Sequence, residues 1–167
     1  AKRAYEKAIA LSPGLSEPYN NLGNVLSAQG KHETALQQYQ KALARSSEDL
    51  REVEVNLATT YLELHRGYEA ATLLQQAIDE GRGAALHHYH LGRAFKMQKD
   101  SKSAKAAFLQ AHRIDPNELR SLAALGELLA GERNHQEAIH YFRRALIVDP
   151  TDGRALFGLG KSLEETG

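Results

Sequence analysis

The sequence predicts an all-α chain built from about ten helices, stacked as antiparallel hairpins. Two recurring patterns and one punctuation mark predict it. Ala1, Ala35, Ala70, Ala104 and Ala138 are separated by 34, 35, 34 and 34 residues. Each is followed four residues later by a large side chain (Tyr5, Tyr39, Leu74, Phe108, Phe142) and seven residues later by another alanine (Ala8, Ala42, Ala77, Ala111, Ala145). Upstream lies a second pattern, a leucine followed by a small residue: Leu22-Gly23, Leu57-Ala58, Leu91-Gly92, Leu125-Gly126 and Leu159-Gly160. Three residues beyond each small residue stands a large apolar one (Leu26, Tyr61, Phe95, Leu129, Leu163). Steps of three and four place side chains on one helical face. Small residues let two helix backbones approach while large ones fill the space between. The punctuation is proline: Pro13, Pro116 and Pro150 share one phase, where Ser47 and Arg82 stand in the other two units.

Each unit therefore reads as a first helix, a tight turn and a second helix. In order, the helices fall at about 1–12, 17–29, 32–45, 51–64, 67–80, 85–97, 101–114, 119–131, 135–148 and 153–166. Proline disfavours helix in the residue before it, so Ser12-Pro13, Asp115-Pro116 and Asp149-Pro150 end second helices. Ser16 before Glu17-Pro18 is expected to be an N-cap with proline in the first turn. Asn134 and Glu137 have capping-box spacing, with asparagine in place of the usual hydroxyl residue. Full repeats are read at 16–49, 51–84, 85–118 and 119–152, with Leu50 an extra residue between the first two. Residues 1–15 correspond to a second helix alone and residues 153–167 to a first helix alone. Tyr5 and Ile9 at one end, and Leu156, Leu159 and Leu163 at the other, are expected to expose apolar surface, as in a piece of a longer array.

This pattern resembles the tetratricopeptide repeat, whose period is about 34 residues. The resemblance covers the whole chain and implies a right-handed α-solenoid, the superhelix of that family. Two departures stand out. The position of the family's tryptophan holds Tyr19, Glu54, His88, Leu122 and Leu156, and His88 is expected to be packing material there. Repeat 51–84 also lacks both the glycine and the proline.

Composition narrows the function. Lys+Arg and Asp+Glu are both 21, so the net charge is zero, without the basic excess that displaces counterions from nucleic acid. The absence of cysteine excludes disulfides, thiolate metal sites and cysteine nucleophiles, and leaves cytoplasm and periplasm equally open. No apolar run approaches the ~18 residues of a membrane span, and no signal pattern follows residue 1. His87 and His90 are three apart, but no nearby carboxylate completes a metal site. There is no nucleophile elbow, phosphate-binding loop or zinc-protease motif. No catalytic role, metal or cofactor is expected.

The resemblance implies that first helices line a concave groove. Positions 2, 5, 9, 12 and 13 of each unit share one face, distinct from the core face. The candidate peptide-binding residues on it are Asn20, Asn24, Thr59, Tyr89, Arg93, Lys96, Arg120, Glu127, Phe157 and Lys161. Asparagine can donate to and accept from a peptide backbone, arginine can hold a carboxylate bidentately, and aromatic rings supply anchors. Any one of these residues alone reads as ordinary solvated helix surface; the row as a whole reads as a binding face. Repeat 51–84 carries three arginines and six acids, and repeat 85–118 six basic residues and three acids. The +3 patch of the latter, with Lys99, Lys102 and Lys105 on the outer helix, suits either an acidic partner or plain contact with solvent. Some relatives of this kind grip a C-terminal carboxylate, but only Asn24 and Arg93 match that clamp. Others, joined to a glycosyltransferase, carry an asparagine ladder. Asn21 and Asn56 fit it; His90, Ala124 and Gly158 do not.

The function expected is a non-catalytic scaffold that presents its groove to a peptide segment or helix of a partner protein. One rival is the targeting arm of an enzyme whose catalytic domain lies outside these residues. Another is end-to-end self-association through uncapped solenoid ends.

Overall fold

The computed structural model describes residues 2–45 and 50–167. Ala1, the first alanine of the repeat pattern, and Ser47, one of its proline-phase residues, lie outside the described residues. Ten helices are described: α1 Lys2–Leu11, α2 Glu17–Ala28, α3 His32–Leu43, α4 Arg51–Glu63, α5 Gly67–Asp79, α6 Ala85–Met97, α7 Ser101–Ile114, α8 Leu119–Gly131, α9 His135–Val148 and α10 Gly153–Glu164. They fall within two residues of the expected bounds, and the described residues contain no strand. The described residues are all-α and form two compact units, Ala1–Gly83 and Ala84–Gly167.

In the first unit α2 pairs with α3 and α4 with α5, while α1 packs on α2 and α3 on α4. Its core joins Tyr19, Leu22 and Leu26 of α2 to Leu36 and Tyr39 of α3 and to Val53 and Leu57 of α4, with Tyr5 and Ile9 of α1 partly buried against it. In the second unit α6 pairs with α7 and α8 with α9, and α10 packs on both α9 and α8. The small-residue rule operates as the spacing requires. A Cβ added at Gly23, Gly92 or Gly126 would stand 2.5 Å from the ring of Tyr39, Phe108 or Phe142 respectively. The flanking alanines Ala35, Ala42, Ala70, Ala77, Ala104, Ala111, Ala138 and Ala145 are all completely buried.

The turns inside the hairpins show what spacing alone does not. Gly30, His65, Lys99 and Arg133 all have φ between 58° and 72°. Each closes a Schellman motif, as where Lys31 N–H reaches the Leu26 carbonyl and Gly30 N–H that of Ser27. The left-handed residue lets the last carbonyls find donors, and at three of the four turns a non-glycine residue adopts it. Repeat 51–84, which lacks the proline, ends α5 in the same way: Gly81 has φ +79°, and Arg82 N–H bonds the Ala77 carbonyl at 2.9 Å. Where proline is present, the residue before it is extended, as at Asp115 (φ −131°, ψ 101°) and Asp149 (φ −136°, ψ 101°).

Two cap expectations resolve differently. Ser16 precedes α2 but makes no side-chain cap bond; its hydroxyl donates to the Ala42 carbonyl at 2.9 Å. Pro18 has no N–H to offer, and Tyr19 N–H is taken by the Ser16 carbonyl. Asn134 does cap α9, accepting from Glu137 N–H at 3.4 Å. Glu137, however, accepts from the Asn134 side-chain amide at 2.7 Å rather than from a backbone N–H. Asp100, Glu118 and Asp152 cap α7, α8 and α10.

Candidate functional site

In the second unit the first helices α6, α8 and α10 line a cavity of about 560 Å³. Tyr89, Arg93, Lys96 and Met97 reach it from α6, Phe108 from α7, Ala124 and Glu127 from α8, and Arg154 from α10. Glu127 is its centre. One of its oxygens accepts from Lys96 Nζ at 3.2 Å, and the other accepts from Arg154 Nη2 at 2.7 Å and Nε at 2.9 Å. Three cations thus face one carboxylate. Burial works to lower the Arg154 pKa, but the hydrogen bond and charge of Glu127, with a smaller share from Tyr89, raise it. Arg154 is therefore a permanent cation here.

A second cavity of about 420 Å³ adjoins the first, with Glu127 and Arg154 common to both. Its walls are mostly apolar: Phe142, Phe157, Gly158, Ala130 and Gly131, with Lys161 at its edge. Ser162 Oγ and His135 Nδ1 are buried there without a hydrogen-bond partner.

Of the expected site residues, the structure brings Tyr89, Arg93, Lys96 and Glu127 together at the first cavity and Glu127, Phe157 and Lys161 at the second. Arg120 stands beside the first, its guanidinium 5.6 Å from the Tyr89 ring centroid and its Nε donating to Glu118 at 2.7 Å. Arg154 shared the expected row without being singled out; its position-2 place opposite the position-9 carboxylate Glu127 was the available signal.

Tyr89 corrects the expectation that this row is separate from the core. It is only 5% exposed, belongs to the core cluster with Phe108, Leu125 and Leu128, and stacks tilted on Phe108 at 6.0 Å. Asn20 is likewise buried at 6%, donating to Glu52 at 2.9 Å and accepting from Asn56 at 3.0 Å. At position 5 the side chain is covered where the next first helix of the same unit packs against it, as at Asn20, Tyr89 and Ala123 (1% exposed), whereas Val55 of α4 is half-buried and Phe157 of α10 is 76% exposed. Leu62, also on the row, is buried. In the first unit Asn24 accepts from the Tyr39 hydroxyl at 2.7 Å and Thr59 donates to the Val55 carbonyl at 2.8 Å. Asn20, Asn24 and Thr59 therefore each hold an internal hydrogen bond.

The histidines also differ from expectation. His88 is only half-buried, and it is His87 that packs fully, at 1% exposed. Helix α6 turns His87 inward and leaves His88 at the margin. His90 is 4% exposed. Burial, then the charges of Arg93, Arg120 and His87, push its pKa down from 6.5 to about 3, so it is neutral. Among the described residues no three His, Asp or Glu side chains cluster as metal ligands.

The odd residues of repeat 51–84 turn out to be partners. Glu54, in the tryptophan position, is 1% exposed, and Arg82, in the proline position, meets it at 2.7 Å. Two departures in one repeat were the sequence signal for this pair. Of the outer lysines, Lys105 lies 3.6 Å from Glu137 of the next hairpin.

Hairpins repeating at one register, with open first-helix surfaces and small residues at fixed contact points, define a class: helical-repeat scaffolds that bind proteins. The chain belongs to the tetratricopeptide repeat family. Two family models, both described as tetratricopeptide repeat, match it, one at residues 4–37 and the other at 55–118 and 123–167. Among curated proteins it is similar to the BBSome complex member BBS4 of Bos taurus, 26% identical over 165 residues. It is also similar to the CTR9 homolog of Arabidopsis thaliana, 25% identical over 164 residues. The matches take in 99% and 95% of this chain but only 31% and 15% of those proteins. Among solved structures it resembles TTC0263 of Thermus thermophilus (TM-score 0.81, 20% identity, 98% of this chain and 89% of that one). It also resembles YrrB, described as a TPR protein with an unusual peptide-binding site (TM-score 0.72, 25% identity, 99% and 85%). Proteins of this family generally act as non-catalytic scaffolds for other proteins. Among the described residues no helix is long and apolar enough to cross a membrane.

Proposed function

We propose that the face formed by α6, α8 and α10 binds an extended segment of a partner protein in which an acidic residue lies close to a large apolar one. The observation that carries this reading is the joining of the two cavities. A cation-rich chamber opens beside an apolar one, and Glu127 and Arg154 form their common wall. A carboxylate entering the first chamber meets Arg93, Lys96 and Arg154, with arginine able to engage it bidentately. An apolar side chain entering the second lies against Phe142 and Phe157, removing apolar area from water at roughly 25 cal/mol per Å². Glu127 keeps the cations in place before the ligand arrives, so less ordering is left to the binding step.

A displayed library of random peptides selected on the wild-type protein tests this. The selected sequences are expected to pair acidic with large apolar residues. Titration of one such peptide should weaken by about tenfold or more with Arg93→Ala and Phe157→Ala, as for interface anchors, and stay unchanged with Lys102→Ala on the outer helix. Tyr89→Phe is preferable to alanine there, because Tyr89 is core. Unchanged affinity in both Arg93→Ala and Phe157→Ala would refute the site.

A further inference from the structure

The charges of the first chamber do not balance for a carboxylate guest. Arg93, Lys96 and Arg154 line it, and Glu127 is the one acid among the lining residues, so its walls carry a charge of +2. The groups around it leave that charge unchanged. Arg120 is met by Glu118 at 2.7 Å. His90, its ring 4.9 Å from that of Tyr89, has its pKa pushed down to about 3 and is neutral. An aspartate or glutamate side chain entering the chamber cancels only half of the +2.

The hydrogen-bond donors give the same answer. Glu127 takes one of the three N–H groups of Lys96 and two of the five of Arg154, and both side chains can donate further, as can the guanidinium of Arg93. Tyr89, only 5% exposed, lies against Arg154 and helps to raise its pKa; its hydroxyl can also donate. A carboxylate offers this set two oxygens and one charge. A phosphate monoester offers three strongly accepting oxygens and about −1.5 to −2 charge at pH 7. Arginine meets phosphate bidentately and lysine meets it as a point charge, and both residue types are present on the walls.

We propose that the acidic group taken by this chamber is a phosphate monoester, a phosphoserine or phosphothreonine of the partner segment; the assignment rests on the peptide reading of the face given above. A dianion matches the wall charge, with Arg93, Lys96 and Arg154 closing on its oxygens while Glu127 keeps Lys96 and Arg154 in place. Phosphorylation of the partner then acts as the switch for binding.

Isothermal titration of the 167-residue chain tests it, with one library-selected peptide made in three versions: glutamate, serine or phosphoserine at the acidic position. At neutral pH the phosphoserine peptide is expected to bind about tenfold or more tighter than the glutamate peptide, and the serine peptide most weakly. As pH falls below about 6 the phosphate takes up its second proton, and the advantage over glutamate should shrink. The protein's own groups, Glu127 included, face both peptides alike, so their titration cancels in that ratio. Lys96→Gln, at a half-exposed side chain, lowers the wall charge to +1 and should cut the ratio by about threefold; Lys102→Gln on the outer helix should leave it unchanged. Inorganic phosphate alone should bind far more weakly than the phosphoserine peptide. Equal affinity for phosphoserine and glutamate, an advantage that does not change with pH, or a ratio indifferent to Lys96→Gln would overturn the phosphate assignment and leave the acidic-segment reading standing. Inorganic phosphate binding as tightly as the phosphoserine peptide would overturn it in favour of a free-anion site. Serine binding as tightly as glutamate would remove the acidic-segment reading, and this proposal with it.

Discussion

Replacing Gly126 by alanine adds one methyl group where the Phe142 ring already lies. The new Cβ would stand 2.5, 2.6 and 2.8 Å from three carbons of that ring, against an ordinary contact of about 3.5–4.0 Å. The ring must retreat by about 1 Å, and it has nowhere to go. The same ring is already against Gly158 of α10, with Cζ and Cε1 close to both glycines, and the side chain is only 1% exposed. Alanine itself is favoured over glycine in a helix by about 1 kcal/mol. Overpacking costs ~1–3 kcal/mol, and a ring held from both sides belongs at the top of that range. The net expectation is a loss of about 2 kcal/mol, or ~4–8 °C in melting temperature for a chain of this size. Gly131→Ala is the control on the same helix, because its Cβ meets nothing within 4 Å; it should be neutral or gain about 0.5 kcal/mol. Thermal and urea unfolding followed by circular dichroism measure both. If Gly126→Ala is as stable as Gly131→Ala, the ring is not pinned and the close-approach account of these hairpins is wrong.

Three further outcomes follow from the packing and charges. Ala111→Leu, at a fully buried site, should cost ~1–3 kcal/mol, whereas Lys102→Leu on the exposed side of α7 should change stability by less than about 0.5 kcal/mol; urea midpoints compare them. Arg82→Met removes a cation from a carboxylate that is 1% exposed and should cost about 3 kcal/mol, while the double change Glu54→Leu with Arg82→Met should recover most of it. His90 protonates near pH 6.5 when unfolded and at about 3 when folded. The unfolded state therefore binds more protons between those values, so this contribution to stability is complete above 6.5 and falls as pH drops towards 3. His90→Asn should flatten that fall, read as the difference in urea midpoint between neutral and mildly acidic buffer; an unchanged slope would show that His90 is not held neutral.

Periodicity made the helices, their order and their pairing legible in advance, because a repeated step of three and four has only one regular structure that satisfies it. The glycine and alanine contact points could be read for the same reason: closest approach between helices occurs at a fixed phase. The candidate site was legible in part. Arg93, Lys96 and Glu127 lie on the expected face, since that face depends only on where each residue falls in its own helix. Tyr89 and Asn20 were expected on the open surface but are buried, because their exposure depends on the neighbouring first helix, which no single-helix phase contains.

The sequence by itself determined the all-α class, the register of the hairpins and the absence of thiol chemistry, all of which follow from local spacing or composition. Only the tertiary structure decided that Glu54 belongs with Arg82, 28 residues away, and that Glu127 gathers Lys96 and Arg154 from two other helices. Those are distances between side chains on different helices. Such distances are set by how neighbouring helices pack together, and the period of one helix carries no term for them.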